Sequence, residues 1–486
     1  IIMACTTILV GKKASYDGST MIARNDDSPS GVFTPKRMEV VLPKMQPKAY
    51  KSVISHVEIK LPDNPLRYTL MPNVDRKEGI WGASGINEEN VAMTATETIT
   101  TNPRVLGADP YVKLITKTED HEEVFGGIGE EDLVVLVLPY IHSAREGVIR
   151  LGNLLETYGT YESNGIAFSD KDEIWYLETI GGHHWMAKKV PDDSYVVLPN
   201  QLGIDSFDFD DAFSNQKENL CSPDLKDFVN EFHLDLSTDG KFSPRLAFGS
   251  HDDSDHVYNT PRAWYMLRYF NGHTFKFDGE NARYTPLSDD LPWCLVPEHK
   301  ITVEDVKYIL SSHYQGTIYD CYSKIKDEKM KGAFRPIGIS RTSFMSIAQI
   351  RGYLPKSKQS IEWICFGSNA FNSVVPVYTN VTKIPDYFSN TTLHVDSSNF
   401  YWASRLIGAL VDSHFQMCSI FIERYQASLV SKSYEILHEY DFSDKNLEEA
   451  NNKLSQLCQN ETDQCLKNVL YTASCHMING YSRSDN

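Results

Sequence analysis

The stretch that decides the fold is residues 5–27, CTTILVGKKASYDGSTMIARNDD, which begins at the first cysteine of the chain. Its two β-rich runs, TTILVG and STMIAR, are separated by a segment that contains an Asp-Gly turn signal. The stretch therefore predicts a hairpin. If the turn is centred near Ser15, Cys5 lies opposite Arg24 or Asn25. We expect the cysteine and the RNDD sequence to be neighbours.

Beyond the hairpin, the chain up to about residue 300 alternates strand-like and helix-like segments. Further strands are predicted at 39–42, 53–61, 79–85 and 91–98. Apolar residues recur at helical spacing over 130–158, where Pro139 predicts a break between two helical pieces. More strands are predicted at 165–168, 173–179, 184–190 and 195–198. This order predicts an α+β layered core.

The rest of the chain predicts additions to this core. We expect a helix from Pro261 to Tyr269, strands at 361–366 and 374–378, and helices over 398–478, where apolar residues recur three and four apart. The expected organisation is residues 1–4, a leader, propeptide or cloning remnant; 5–300, the core; 301–397, a continuation of the core with added strands; and 398–486, a helical C-terminal appendage.

Composition and charge exclude several classes of protein. Of the 486 residues, 41% are hydrophobic and 23% are charged, which is typical of a folded globular protein. Lysine and arginine total 47 against 65 acidic residues, a net charge of −18, so no basic surplus exists for binding nucleic acid. Apolar runs such as 134–138 are far shorter than the roughly 18 residues of a membrane-spanning helix, so we expect no membrane span.

The nine cysteines predict neither a disulfide framework nor a metal site. Their number is odd and their density is low for a chain of this length, which favours a reducing compartment. Cys458 and Cys465 are seven residues apart, and His476 directly follows Cys475, so these residues lack the spacing of a zinc site. We expect no metal and no cofactor.

The position of Cys5 suggests a catalytic role that needs no histidine. The chain begins Ile-Ile-Met-Ala-Cys, so we expect either residues upstream or a cloning remnant at the first two positions. If proteolysis uncovers Cys5, its thiol and its α-amine form a minimal catalytic unit, because their reference pKa values, about 8.5 and about 7.7–8.0, are close. The alternative is that Cys5 is an ordinary small apolar residue at a strand edge.

Several blocks of sequence, in order, resemble the dipeptidase A group of the C69 peptidases, within the N-terminal-nucleophile hydrolases. They include ACTTILVGKKASYDGSTMIARNDDSP at 4–29, WGASGINEENVAMTATET at 81–98, VPDDSYVVLPNQ at 190–201 and VYNTPRAWYM at 257–266. The chain is similar at a lower level to choloylglycine hydrolases and penicillin V acylases. The resemblance covers most of the chain and implies a four-layer αββα sandwich with a helical C-terminal extension.

The resemblance implies roles for residues of the hairpin. Cys5 matches the nucleophile, and its freed amine matches the base. Arg24 and Asp27, in the pattern R-N-x-D, match an arginine close to the sulfur and an aspartate that holds the amine. A guanidinium favours the thiolate, and a carboxylate orients an amine by hydrogen bonding. The alternative for this pair is a surface salt bridge of little energy.

Two further matches lie later in the chain. Asn200, in LPNQ, matches the asparagine whose side-chain amide lines the oxyanion hole of the acylases, where a neutral donor stabilises developing negative charge. Arg262, in YNTPR, matches the acylases' active-site arginine. Without the resemblance, Asn200 is a turn residue after Pro199, and Arg262 is an arginine near a helix N-terminus.

The chain departs from the acylase pattern at Glu97. The bile-acid and penicillin branch has a second asparagine here, whereas an ionised carboxylate cannot donate a hydrogen bond to an oxyanion. Glu97 is instead suited to a substrate ammonium group, which a dipeptide has and an N-acyl substrate lacks. The alternative is a buried or turn-facing structural glutamate.

Three functions from two classes follow. The first is a cysteine-type dipeptidase that forms an acyl-enzyme on an N-terminal Cys5, after autoprocessing, with dipeptides as its partners. The second is an N-acyl amide hydrolase of the choloylglycine or penicillin V acylase type. The third is a lipid-anchored surface binding protein, because residues 2–5 loosely resemble a bacterial lipobox. The resemblance also implies a cytoplasmic homo-oligomer from a bacterium, and a signal peptide before Ile1 would instead imply secretion or a cell-surface location.

Overall fold

The computed structural model describes residues 4–29, 31–324 and 329–477, without the side chains of residues 4 and 95–97. In these ranges the strands are β1 (Ala4–Val10), β2 (Thr20–Asp27), β3 (Glu39–Val41), β4 (Ala49–Lys51), β5 (Glu58–Lys60), β6 (Tyr68–Leu70), β7 (Ser84–Ile86), β8 (Ala92–Thr98), β9 (Asn164–Ser169), β10 (Ile174–Ile180), β11 (His184–Lys189), β12 (Tyr195–Leu198), β13 (Asn219–Cys221), β14 (Cys294–Leu295), β15 (Thr342–Ile350), β16 (Ser360–Phe366) and β17 (Val375–Tyr378).

The α-helices in the same ranges are α1 (Pro103–Ala108), α2 (Leu133–Val137), α3 (Ala144–Tyr158), α4 (Phe209–Ala212), α5 (Leu225–Glu231), α6 (Pro244–Phe248), α7 (Asp255–Tyr258), α8 (Thr260–Asn271), α9 (Val303–Leu310), α10 (Asp386–Ser389), α11 (Phe400–Asp412), α12 (Phe415–Asp441) and α13 (Leu447–Cys475). Short 3-10 helices cover Pro43–Met45, Leu138–Tyr140, Lys356–Lys358 and Asn369–Phe371.

The predicted hairpin forms the centre of the larger sheet. Within the described residues the strand order of this sheet is β14-β12-β1-β2-β15-β16-β17, and each neighbouring pair is antiparallel. The side chains of β2 are buried along its whole length, as expected for a strand covered on both faces. The turn between β1 and β2 places Gly18 at a φ of 83°, which glycine adopts without steric cost. The hairpin prediction is confirmed.

The register of the hairpin differs from the prediction. Cys5 pairs with Asp26, and Thr7 pairs with Arg24, whereas we expected Cys5 opposite Arg24 or Asn25. The connection is centred between Ser15 and Tyr16 rather than at Ser15, and this small displacement changes which residues pair. Arg24 is still on the same face as Cys5, two residues from its partner, so the two side chains are diagonal neighbours.

Successive residues of β1 point to two different layers. Leu9 packs in an apolar cluster that also contains Ala167 and Tyr176 of the second sheet, whose order in the described residues is β13-β11-β10-β9-β8-β7. Ile8 packs in another cluster, with Trp264 of α8 and Ile309 of α9. One face of the hairpin therefore lies on the second sheet, and the other lies under helices.

Helices also cover the outer face of the second sheet. Leu136 of α2 and Leu151 of α3 share a cluster with Ile166 and Leu177 of that sheet. On the opposite side of the molecule, helices α11, α12 and α13 contribute buried residues to the cluster that contains Ile8. The mixed α/β architecture, the antiparallel sheets and the helical C-terminal region agree with the prediction.

Two predicted strands are largely wrong. The segment 53–61 contains only the three-residue β5, because the carboxylate of Glu131 binds the backbone N–H of Ile54 at 2.8 Å and holds a turn there. The segment 79–85 contains only the start of β7, since Trp81 and Ala83 have φ values of 53° and 60°, which no extended strand has. The predicted break at Pro139 is confirmed by the 3-10 helix Leu138–Tyr140 between α2 and α3.

Candidate active site

The thiol of Cys5 is completely buried and lies beside Arg24. Nη2 of Arg24 is 2.8 Å from Sγ, and the guanidinium is itself fully buried. The contact follows from the hairpin, since diagonal neighbours on one face of an antiparallel pair are within reach of a long side chain. A permanently charged group at this distance stabilises the thiolate relative to the thiol.

The remaining contacts of Arg24 hold the guanidinium in place. Nη1 donates to the carbonyl oxygen of Ala83 at 3.2 Å, and Nε donates to that of Asn25 at 3.2 Å. Nη2 also lies 3.8 Å from Asp26 and 3.6 Å from Glu130. The positive charge beside the sulfur is thus surrounded by two carboxylates, which makes its burial tolerable.

Asp26, the direct partner of Cys5 in the hairpin, forms a buried ion pair that the sequence analysis did not identify. Its Oδ2 lies 2.8 Å from Nζ of Lys36, and both side chains are almost completely buried. Burial alone would raise the pKa of Asp26, but Lys36 and Arg24 outweigh it and hold the pKa below its usual value. Burial lowers the pKa of Lys36, and Asp26 offsets part of that effect. The pair keeps a negative charge next to Arg24.

Asn200 and Arg262 lie at the main chain of Cys5. The backbone N–H of Cys5 donates to Oδ1 of Asn200 at 3.3 Å, and Nη1 of Arg262 donates to the carbonyl oxygen of Cys5 at 2.5 Å. Arg262 also binds Oγ1 of Thr6 at 2.6 Å and Oδ1 of Asn200 at 2.7 Å. The side-chain orientation of Asn200 follows from its partners, since Oδ1 faces two donors while Nδ2 donates to the carbonyl oxygen of Thr98 at 2.9 Å.

Asp27 lies on the other face of β2 from Cys5, opposite Ala4 in the register. Its carboxylate accepts a hydrogen bond from Oγ1 of Thr342 at 2.6 Å and forms an ion pair with Arg335. Both partners come from a part of the chain about 300 residues away, and the sequence analysis did not identify either. In this structure Asp27 is therefore beside the N-terminal end of the Cys5 segment, with Arg335 balancing its charge.

Glu97 is described only through its backbone, because its side chain lies outside the described residues. It belongs to β8, opposite Gly165 of β9, and a register shift separates it from Ala95. The next residue, Thr98, supplies the carbonyl oxygen that Asn200 binds. Glu97 therefore lies one residue from the network around Cys5.

The loop that carries Asn200 rests on a buried carboxyl group. Oε1 of Glu178, on β10, accepts the backbone N–H of Gly203 at 2.6 Å, and Arg245 donates to the carbonyl oxygen of the same glycine at 2.6 Å. Burial raises the pKa of Glu178 to about 7, although the backbone N–H groups lower it. Glu178 thus holds the backbone three residues after Asn200.

One group of side chains has the composition of a metal site. The ligand atoms of His313, Asp320 and Cys321 lie within 4.8 Å of one another. Nδ1 of His313 is 2.7 Å from Oδ1 of Asp320. Burial, together with Asp320, raises the pKa of Cys321 to about 11. The described contacts of Cys5 are with Arg24, Asn200 and Arg262, and none of them involves this group.

Within residues 4–29, 31–324 and 329–477, no helix combines the length and the apolar composition that crossing a membrane demands.

Comparison with known proteins identifies the family of the chain. Residues 4–428 match the family model of peptidase family C69. The chain is 50% identical to a dipeptidase of Bifidobacterium longum, over 99% of this chain and 100% of that protein. It is 52% identical to a probable dipeptidase A of Streptococcus pyogenes (99% and 100%) and 46% identical to dipeptidase A of Lactobacillus helveticus (95% and 95%). The chain therefore belongs to peptidase family C69 and is a hydrolase.

Proposed function

We propose that this chain is a cysteine-type dipeptidase whose nucleophile is the thiol of Cys5. The observation that carries the proposal is the contact of 2.8 Å between Sγ of Cys5 and the buried guanidinium of Arg24. The dipeptidases of Bifidobacterium longum and Lactobacillus helveticus support the substrate class, since they resemble this chain over nearly its whole length. Two apolar clusters between helices and sheets, and a third between the sheets, support a four-layer N-terminal-nucleophile sandwich.

The base in this proposal is the α-amine of Cys5 after the preceding residues are removed. An amide nitrogen has no basic lone pair, so a chain that retains residues 1–4 lacks this base. Oδ1 of Asn200 already accepts the N–H of Cys5 and can accept one from the amine without moving. Asp27, beside the preceding residue, supplies the carboxylate that orients the amine. The proton then passes from sulfur to nitrogen and later to the leaving amino acid.

The attack of Sγ on the peptide carbonyl creates a negative oxygen that needs donors. Nδ2 of Asn200 has two hydrogens, of which one goes to the carbonyl oxygen of Thr98. The other is the donor that we assign to the oxyanion. Arg262 fixes both the carbonyl of Cys5 and the amide of Asn200, so it positions nucleophile and donor together. The acyl-enzyme then releases the C-terminal amino acid, and water frees the N-terminal one.

Two preparations test the proposal: a chain that begins at Cys5 and a chain that retains residues 1–4. We expect only the first to release amino acids from dipeptides, and we expect a slow dipeptide to add its acyl mass to the peptide that contains Cys5. C5A should be inactive, whereas the matched control C475A, at an exposed cysteine of α13, should retain full activity. Full turnover by the longer chain, or by C5A, would reject the mechanism, and a preference for N-acyl substrates would favour the amide-hydrolase alternative.

The proposal includes a cytoplasmic location and a homo-oligomer, both implied by the family resemblance. Size-exclusion chromatography with light scattering measures the assembly state directly, and a mass equal to one chain would reject the oligomer.

A further inference from the structure

A carboxylate from a distant segment lies next to the nucleophile. Oε1 of Glu130 is 3.6 Å from Nη2 of Arg24, and the same nitrogen is 2.8 Å from Sγ of Cys5. The carboxylate is therefore within about two hydrogen-bond lengths of the sulfur. Glu130 is only 2% exposed, so it is a buried part of this site rather than a surface residue.

The two acidic residues that follow Glu130 have structural partners. Glu131 accepts hydrogen bonds from Ser52 and from the backbone N–H of Ile54. Asp132 accepts one from Oη of Tyr50 at 2.7 Å. Burial raises the pKa of both carboxyl groups. Glu130 differs from them because its charged neighbour is the arginine that binds the nucleophile.

The backbone around Glu130 is held in one position. Its N–H donates to Oε1 of Glu162 at 2.7 Å. A Cβ atom on the preceding residue, Gly129, would lie 2.0 Å from Cζ of Tyr161, so only glycine allows this close approach. Tyr161 and Glu162 therefore pack against this segment and fix the backbone from which the Glu130 side chain reaches Arg24.

A buried amide with an unpartnered oxygen lies beside Glu162. Nδ2 of Asn164 donates to Oε1 of Glu162 at 3.3 Å, which places the amide group next to the carboxylate of Glu162. Its Oδ1 is buried and has no hydrogen-bond partner among the residues that the structure describes. A buried acceptor of this kind is stabilised by an incoming donor. An alkylammonium group brings a positive charge and three donor hydrogens.

On the basis of the dipeptidase function proposed above, we propose that Glu130, supported by Glu162 and Asn164, binds the α-ammonium group of the substrate. In a dipeptide the α-nitrogen is two bonds, roughly 2.5 Å, from the carbonyl carbon that the thiolate attacks. A nitrogen hydrogen-bonded to Glu130 thus leaves this carbonyl within reach of Sγ. An N-acyl substrate has no charge at this position and gains nothing from the carboxylate.

The test compares Ala-Ala with propanoyl-alanine, which has the same shape without the amine. E130Q keeps the size of the side chain and removes its charge. We expect E130Q to raise KM for Ala-Ala by about 10- to 100-fold, with little change for propanoyl-alanine. E130D, which keeps the charge on a shorter side chain, should lie between E130Q and wild type. E162Q should shift the preference in the same direction by a smaller factor, and it provides the test if E130Q fails to fold.

The matched control is E362Q, the same substitution at a completely buried glutamate that binds Ser84. It should leave the ratio of the KM values for Ala-Ala and propanoyl-alanine unchanged. E97Q is measured alongside, since Glu97 is the other candidate for the ammonium group. The inference would be overturned if E130Q raised KM equally for both substrates, or if E97Q alone raised KM selectively for Ala-Ala. If wild type cleaves no dipeptide, or if C5A is fully active, the proposed function fails instead, whatever E130Q does.

Discussion

Replacing Arg24 by methionine should make the thiolate of Cys5 less stable relative to the thiol, by roughly 1–3 units of pKa. The guanidinium is fully buried, and its Nη2 lies 2.8 Å from Sγ. An opposite charge this close shifts a titration by roughly 1–3 pKa units, or about 1.4–4 kcal/mol. The substitution also removes the cation that faces Asp26 and Glu130, and these two negative charges then disfavour the thiolate further.

The pH dependence of Cys5 alkylation by iodoacetamide measures this effect, with the Cys5 peptide followed by mass spectrometry in a chain that begins at Cys5. R24M should move the midpoint upward by roughly 1–3 pH units, and R24K, which keeps the charge, should move it less. E130Q removes a negative charge beside Arg24 and should move the midpoint downward. Thermal unfolding identifies variants that have lost their fold. An unchanged midpoint in folded R24M would refute the reasoning, and upward shifts in all three variants would indicate damaged packing.

Three further predictions concern the nucleophile, the Asn200 loop and Asp27. C5S should fold like wild type and cleave dipeptides far more slowly, because a hydroxyl matches the amine base less well than a thiol does; equal rates in an amino-acid release assay would contradict this. The pKa of Glu178 is raised to about 7, so the stability that its protonated form provides is present at acidic pH and is lost as the pH rises through 7. In urea unfolding, the difference in the free energy of unfolding between E178Q and wild type should therefore change in favour of E178Q by up to about 3 kcal/mol from pH 5 to pH 8. A difference that does not change with pH would exclude this role. R335M leaves Asp27 without its buried partner, so we expect a loss of about 3–5 kcal/mol in the free energy of unfolding in urea; an unchanged free energy of unfolding would contradict this role of the ion pair.

The sequence predicted the contact between Cys5 and Arg24 because a hairpin brings residues close that are near in sequence. Its register was wrong by a small displacement of the turn, yet both side chains stay on one face. Lys36, Arg335 and Glu130 were missed for the opposite reason. Each reaches the hairpin from a separate segment, and a single charged residue in such a segment has no periodic pattern to indicate its partner.

The strand β15, beside β2 in the larger sheet, was also not predicted. Its sequence, TSFMSIAQI, has polar residues at positions 342, 343, 346 and 349, so it lacks the strict alternation that indicates a half-buried strand. All nine residues are nevertheless buried. The polar ones are tolerated because they are hydrogen-bonded: Ser346 binds Ser84 of the second sheet at 2.9 Å, and Gln349 donates to Ser19, beside the neighbouring strand β2, at 2.9 Å. Such pairs can be recognised only after the fold is known.

The alternation of β1 separates two kinds of chemistry at one residue. The side chain of Cys5 points toward the second sheet and lies beside Arg24 of β2, which Glu130 also approaches; we expect this face to control the thiol and the proposed substrate ammonium. The main chain of Cys5 and the side chain of Thr6 meet Arg262 from the helical side. A change of charge on one face should therefore affect the thiol or substrate preference without displacing the nitrogen that we propose as the base. A slip of one residue in the hairpin would turn the sulfur away from Arg24. The burial of both strands and their pairing with neighbouring strands oppose such a slip.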